Sequence, residues 1–174
     1  MNALTNLAPG KWGLVIVTRE ERPVLLTLAA RMAGRGPLRV LDGGNQFNAY
    51  PVARAARGRR DVRTRIQVSR AFTCYQMLAL LENTPSPPCP FLLLDLLDTF
   101  YDETVPLIAR QRLLEGCLHH LARLSQQASG LVSISTPRIS NPANSSLLEA
   151  VQNAAHEVWY SDLSTPEPQP LSLF

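Results

Sequence analysis

Short strand-like runs alternating with helical stretches constrain this chain more than any other feature. GLVIVT at 13–18, LRVLD at 38–42, IQVS at 66–69, FLLLDLL at 91–97, LVSIS at 131–135 and EVWYSDL at 157–163 carry the strand signal. The most apolar of them are continuous, as expected of strands covered on both faces. After the first run, TREERPV leads into a helix with Pro23 in its first turn, a position that suits proline. A second helix begins near Ala49 with Val52, Ala53 and Ala56 on one face, and FTCYQMLALLE at 72–82 forms a third. A long amphipathic helix runs from about Thr104 to Gln127 through Leu107, Leu113, Leu114, Cys117, Leu118, Leu121 and Leu124, and another lies near 145–155. GRGP at 34–37 and NTPSPPCP at 83–90 are breaks that neither a helix nor a central strand accommodates. This alternation predicts an α/β fold, a mostly parallel sheet between two helical layers. Ligands of such sheets lie at the carboxyl ends of the strands, which directs attention to 18–21, 42–47, 69–72, 95–98 and 135–146.

A chain of 174 residues with 45% hydrophobic content is long enough for one core and short for two. The reading is a single domain over 13–163, with a lead-in at 1–12 and a Pro-rich, flexible tail at 164–174. No stretch approaches the roughly 20 apolar residues of a membrane span, and no secretory leader is legible. Cys74, Cys89 and Cys117 are odd in number and lack metal-ligand spacing, which argues against a disulfide framework or a zinc site. A cytoplasmic protein without a membrane partner is expected.

Charge is concentrated rather than spread. RAARGRRDVRTRIQVSR contains Arg54, Arg57, Arg59, Arg60, Arg63, Arg65 and Arg70 against the single Asp61, more than the whole net excess of +3. Clustered guanidiniums repel one another unless a polyanion or an acidic surface is their customary neighbour. Arginine also grips phosphate with two parallel hydrogen bonds. The segment is therefore a candidate contact for DNA or for an acidic protein partner.

Several runs together resemble the RecA-like recombinases, including the RadA group and its paralogues. LRVLDGGNQF is similar to that family's strand ending in D-T-E-G-x-F, with Asp42 and Phe47 kept. IQVSRAFTCYQMLALLE resembles its next strand and helix, FLLLDLLDTF its Walker B strand with Asp95 as the acid, and LVSISTPR the strand that leads to a DNA-binding loop. The resemblance runs from about Gly13 to Leu163. It implies a three-layer RecA-like fold with a mostly parallel central sheet, and a DNA contact in the loop that contains Arg138.

The departures bear on chemistry. TREERPVL stands where the family has G-x-x-x-x-G-K-S/T, whose glycines open backbone N–H groups to phosphate and whose lysine supplies a point charge. Glu20 and Glu21 bring negative charge there instead. Gly44 falls where the family's water-activating glutamate belongs. Without a nucleotide-bound metal ion, Asp95 has little to organise. The expectation is a protein that is not an enzyme and uses no cofactor and no metal.

Other chemical groups have plainer readings. Asp98 and Asp102 suit the start of the following helix better than a metal site. His119 and His120 are adjacent on a helix and point apart. Ser133, Ser135 and Thr136 lack the surroundings of a nucleophile. Two function classes remain open: a non-catalytic recombinase paralogue that binds DNA, single-stranded by preference, and a scaffold that pairs with itself, with an active RecA-like ATPase or with another repair factor.

Overall fold

The strands are continuous in apolar residues because the sheet is sandwiched. In the computed structural model, residues 8–86, 89–136 and 142–161 are described, the side chain of Arg60 excepted. The tail at 164–174 and Arg138 lie outside them. The chain order is β1 (Trp12–Val17), α1 (Arg22–Ala33), β2 (Leu38–Asp42), α2 (Ala49–Ala55), α3 (Arg60–Thr64), β3 (Ile66–Arg70), α4 (Cys74–Asn83), β4 (Phe91–Leu94), α5 (Leu107–Ser125), β5 (Gly130–Ser135), α6 (Pro142–Ala154) and β6 (Glu157–Tyr160). The strands form one sheet in the order β3-β2-β4-β5-β1-β6. Every strand pair in it is parallel.

Successive side chains of a strand point to opposite faces, and the two cores divide accordingly. Leu14, Ile16, Leu41, Phe91, Leu93, Val132 and Ile134 pack with Met77 and Leu81 of α4, Leu114, Cys117 and Leu121 of α5, and Leu147 and Val151 of α6. Val15, Val17, Leu38, Val40, Leu92, Leu94 and Leu131 pack with Leu25, Leu28 and Ala29 of α1, Val52 of α2 and Val62 of α3. The three-layer α/β architecture expected from the sequence is thus present, and its sheet is parallel throughout.

The structure departs from the sequence reading at several points: α3 is not among the expected helices, β6 ends at Tyr160 within EVWYSDL, and two boundaries bear on the site. FLLLDLL does not continue as a strand to residue 97: β4 ends at Leu94, and Asp95 turns the chain with a left-handed φ of 50°. Leu96–Phe100 then forms a 3₁₀ turn that buries Leu96, Leu97 and Phe100. Their apolar character belongs to a core-facing turn, which mimics a strand extension. The long helix starts at Leu107 rather than near Thr104, because the Asp102 carboxylate holds a turn by accepting from the Thr104 N–H and hydroxyl at 3.0 and 2.7 Å.

The sheet is tightest where β4 meets β5. A Cβ added to Gly130 would lie 2.0 Å from Phe91 Cζ, whose ring is buried. Gly130→Ala should therefore lower stability by about 1–3 kcal/mol in urea unfolding. Gly36→Ala, where nothing lies within 4 Å of an added Cβ, should stay within about 0.5 kcal/mol.

Candidate functional site

All strands being parallel, the ends of β1, β2, β4 and β5 meet at one edge, and three acids gather there. Asp42 and Asp95 are 0% and 1% exposed; Asp42 ends β2 opposite Leu94, the last residue of β4, and Asp95 follows it. Asp98 follows one turn later. Burial of carboxylates at such density is costly unless each finds donors or a cation.

Asp42 finds both locally. Its two oxygens accept from the backbone N–H groups of Gln46 and Phe47, each at 2.9 Å. Arg70, at the end of β3, donates Nε to Asp42 at 3.2 Å and Nη2 to the Phe47 carbonyl at 2.8 Å. The segment DGGNQF is therefore a turn wound around the Asp42 carboxylate.

Asp95 depends on a residue that the sequence reading passed over. Its Oδ1 accepts from the Ser135 N–H at 2.9 Å and from the Ser135 hydroxyl at 2.5 Å, while its own N–H donates to Ser133 Oγ at 3.0 Å. Arg22, the first residue of α1, brings Nε to 2.7 Å from Ser135 Oγ and 3.0 Å from Asp95 Oδ2, and Nη2 to 2.9 Å from Asp98 Oδ2. The single Nε proton goes to Ser135, so Asp95 Oδ2 receives Arg22's charge without a hydrogen bond among the described residues. Burial raises the Asp95 carboxyl above its ordinary range; the Ser135 hydroxyl pulls it back, Asp98 pushes it up, and Arg22 pulls it down. Tyr101 is raised by the same burial and by the charges of Asp98 and Asp95.

The junction ahead of Arg22 is closed from within. Glu21 is buried, and its carboxylate folds back to accept the Thr18 N–H at 2.7 Å; it serves the chain's own turn, while Glu20 is exposed. Gly44 lies so near that an added Cβ would come 2.8 Å from Asp95 Cβ and 3.0 Å from both Asp95 Oδ2 and Asp98 Oδ2. A glutamate there would collide with two carboxylates. Asp42 and Asp95 share an edge, and among the described residues both carboxylates are enclosed by neighbouring groups.

The arginine segment lies largely elsewhere. Arg70 belongs to the carboxyl edge, whereas Arg57, Arg59 and Arg65 stand at the opposite edge, beside the end of α1. There Arg65 Nη1 donates to the Ala33 and Gly34 carbonyls at 3.4 and 3.5 Å, Arg59 Nη2 donates to Gly34 at 3.2 Å, and Arg65 also pairs with Asp61 at 3.2 Å. Arg54 and Arg63 are exposed. Arg60 opens α3. β5 ends at the carboxyl edge, opposite the bulk of the segment; Arg138 lies outside the described residues.

The crystal structure of the RadB recombinase matches this fold with a TM-score of 0.61, covering 91% of this chain and 78% of that chain at 13% identity. No protein-family profile and no curated protein matches the sequence. The fold is RecA-like, as the strand motifs imply.

Arg22→Ala leaves Asp95 buried without its cation and should cost about 3 kcal/mol or more at neutral pH. Without Arg22 the folded-state carboxyl rises further above its unfolded value. Such a group contributes stability below its unfolded range and loses it as pH climbs through the folded value. The deficit relative to wild type, read from urea midpoints, should accordingly be larger at pH 8 than at pH 5.

Proposed function

We propose that this chain is a non-catalytic RecA-fold protein that assists DNA recombination or repair by binding DNA, single strands by preference, through its arginine-rich segment. The observation that supports the non-catalytic reading is the Arg22 guanidinium lodged against Asp95, Asp98 and Ser135. In this fold a nucleotide's phosphates and metal ion require an open loop of backbone N–H groups and a free acidic strand end. Here the junction TREERPV has no glycine, its Glu21 is turned inward, and the strand-end acid is already neutralised. On this reading, ATP or a metal ion at the carboxyl edge would have to displace Arg22 from Asp95 and Asp98.

A polyanion as partner is supported by density of charge. Among the described residues, Arg54, Arg57 and Arg63 form no ion pair, and Asp61 is the segment's one acid. A second reading, a scaffold for another protein, is favoured by β3. It pairs on one side alone, and Val68, Phe72 and Tyr75 are 37%, 64% and 55% exposed around it. Exposed apolar groups beside an open strand edge are features of protein docking.

Two measurements test the proposal. Millimolar Mg-ATP should leave the melting temperature unchanged and no phosphate should be released; a ligand at 100 times its Kd stabilises by about 2.7 kcal/mol, so a clear upward shift refutes the closed-junction argument and phosphate release refutes the non-catalytic reading. Filter binding to single- and double-stranded oligonucleotides at two salt concentrations should show affinity that falls with salt. Absence of binding at low salt removes the DNA reading and leaves the scaffold.

A further inference from the structure

The basic segment does not act as a linear run, because two arginines far away in sequence join it. A groove of about 390 Å³ opens between the ends of α1 and α2, lined by Ala30, Arg31, Gly34 and Arg35 at the first, by Ala55, Ala56, Arg57 and Arg59 at the second and the turn after it, and by Val62 of α3. Four of these nine lining residues are arginines and none is acidic. A concave surface lined by one sign of charge focuses the field of those charges.

Ordinarily the C-terminal end of a helix is a poor site for an anion, since its free carbonyls present partial negative charge. This end is already neutralised. Arg65 and Arg59 donate to the Ala33 and Gly34 carbonyls, which leaves Arg31 and Arg57 without an ion pair among the described residues. Arg57 is also held with a left-handed φ of 48°, followed by Gly58 at 83°, a conformation a side-chain-bearing residue adopts at a cost. Arg57 thereby caps the groove at the point where α2 ends.

We propose that this groove, at the amino edge of the sheet, seats the phosphates of a single nucleic-acid strand, with Arg31 and Arg57 as the direct contacts and Arg59 and Arg65 as the residues that neutralise the helix end beneath them. The inference rests on the DNA reading above and adds its location: the strand runs over the edge opposite the acidic one, and Arg31, outside the arginine-rich segment, takes part. Small alanines at 30, 55 and 56 keep the floor low enough for a backbone to approach, and the apolar Val62 gives no hydrogen bond to any base, so contact is independent of sequence.

The test uses the full chain, a fluorescent oligothymidylate and titrations at several salt concentrations. Each arginine that neutralises a phosphate contributes about −0.7 to the slope of log K against log salt on single strands. Arg31→Ala/Arg57→Ala should therefore flatten the slope by roughly 1.4 and weaken binding about tenfold or more at low salt. Arg112→Ala, which removes charge from an exposed site on α5 across the sheet, should bind within about twofold of wild type, and both proteins should melt within a few degrees of it. If wild type binds and the double variant matches it in slope and affinity, the groove assignment is wrong while the DNA reading stands. If Arg112→Ala weakens binding as much as the double variant, net charge rather than the groove governs, and the assignment again falls. If wild type does not bind at all, the DNA reading itself fails.

Discussion

A guanidinium facing two carboxylates is the contact on which the carboxyl edge of this protein depends. Parallel strands place their ends, and whatever acids terminate them, side by side. Asp95 and Asp98 would repel each other and resist burial if nothing positive stood between them and α1. Arg22 does this with one planar group: Nε reaches Ser135 and Asp95 while Nη2 reaches Asp98. It thereby ties the start of α1 to the ends of β4 and β5. Lysine, a point charge on a flexible stem, could not satisfy the three positions together.

From that contact the neighbouring features follow. Gly44 is required because Asp95 and Asp98 crowd the space its side chain would take. The β4 strand must stop at Leu94, since Asp95 adopts φ 50° in order to turn its carboxylate back toward Ser135. Glu21 turns inward one residue before Arg22 and closes the 3₁₀ turn with Thr18. The junction at 18–22 and the turn at 95–98 form one packed arrangement whose charges are paired within the chain. Placing lysine or glycine into TREERPV would still meet the acids of the 95–98 turn, and a glutamate at 44 would still collide with them.

The strands and the longer helices were legible in sequence order because continuous apolar runs and helical periodicity are local signals, whereas the five-residue α3, a run of RDVRT with a single apolar residue, was not. Two other kinds of feature were not. Leu96, Leu97 and Phe100 have strand-like composition but occupy a buried turn, and composition alone does not separate the two. Arg22 lies in a run of charges, REER, where every member reads as surface; its burial follows from Asp95 and Asp98, residues more than 70 positions away in the chain. A signal did exist. Acids at the ends of adjacent parallel strands need a cation from a neighbouring junction, and Arg19 and Arg22 are the basic residues at the end of β1. Likewise Arg31 and Arg35 join the basic segment through the packing of α1 against α2, which no spacing rule within 54–70 could reveal.

The two edges of the sheet therefore differ in how their charges are settled. At the carboxyl edge every buried acid has a donor or cation supplied by the chain: Arg70 for Asp42, Arg22 for Asp95 and Asp98. At the amino edge, Arg65 and Arg59 donate to the carbonyls that end α1 and pair with Asp61, and Arg31 and Arg57 form no ion pair among the described residues. On the proposal above, ligand chemistry follows the charge not paired within the chain rather than the fold's habitual position, because a site already neutralised offers an anion no net gain on desolvation whereas an unpaired guanidinium does. The two edges of one parallel sheet thus carry different charge arrangements: acids paired within the chain at the carboxyl edge and, on the proposal above, an arginine-lined groove at the amino edge that receives a partner.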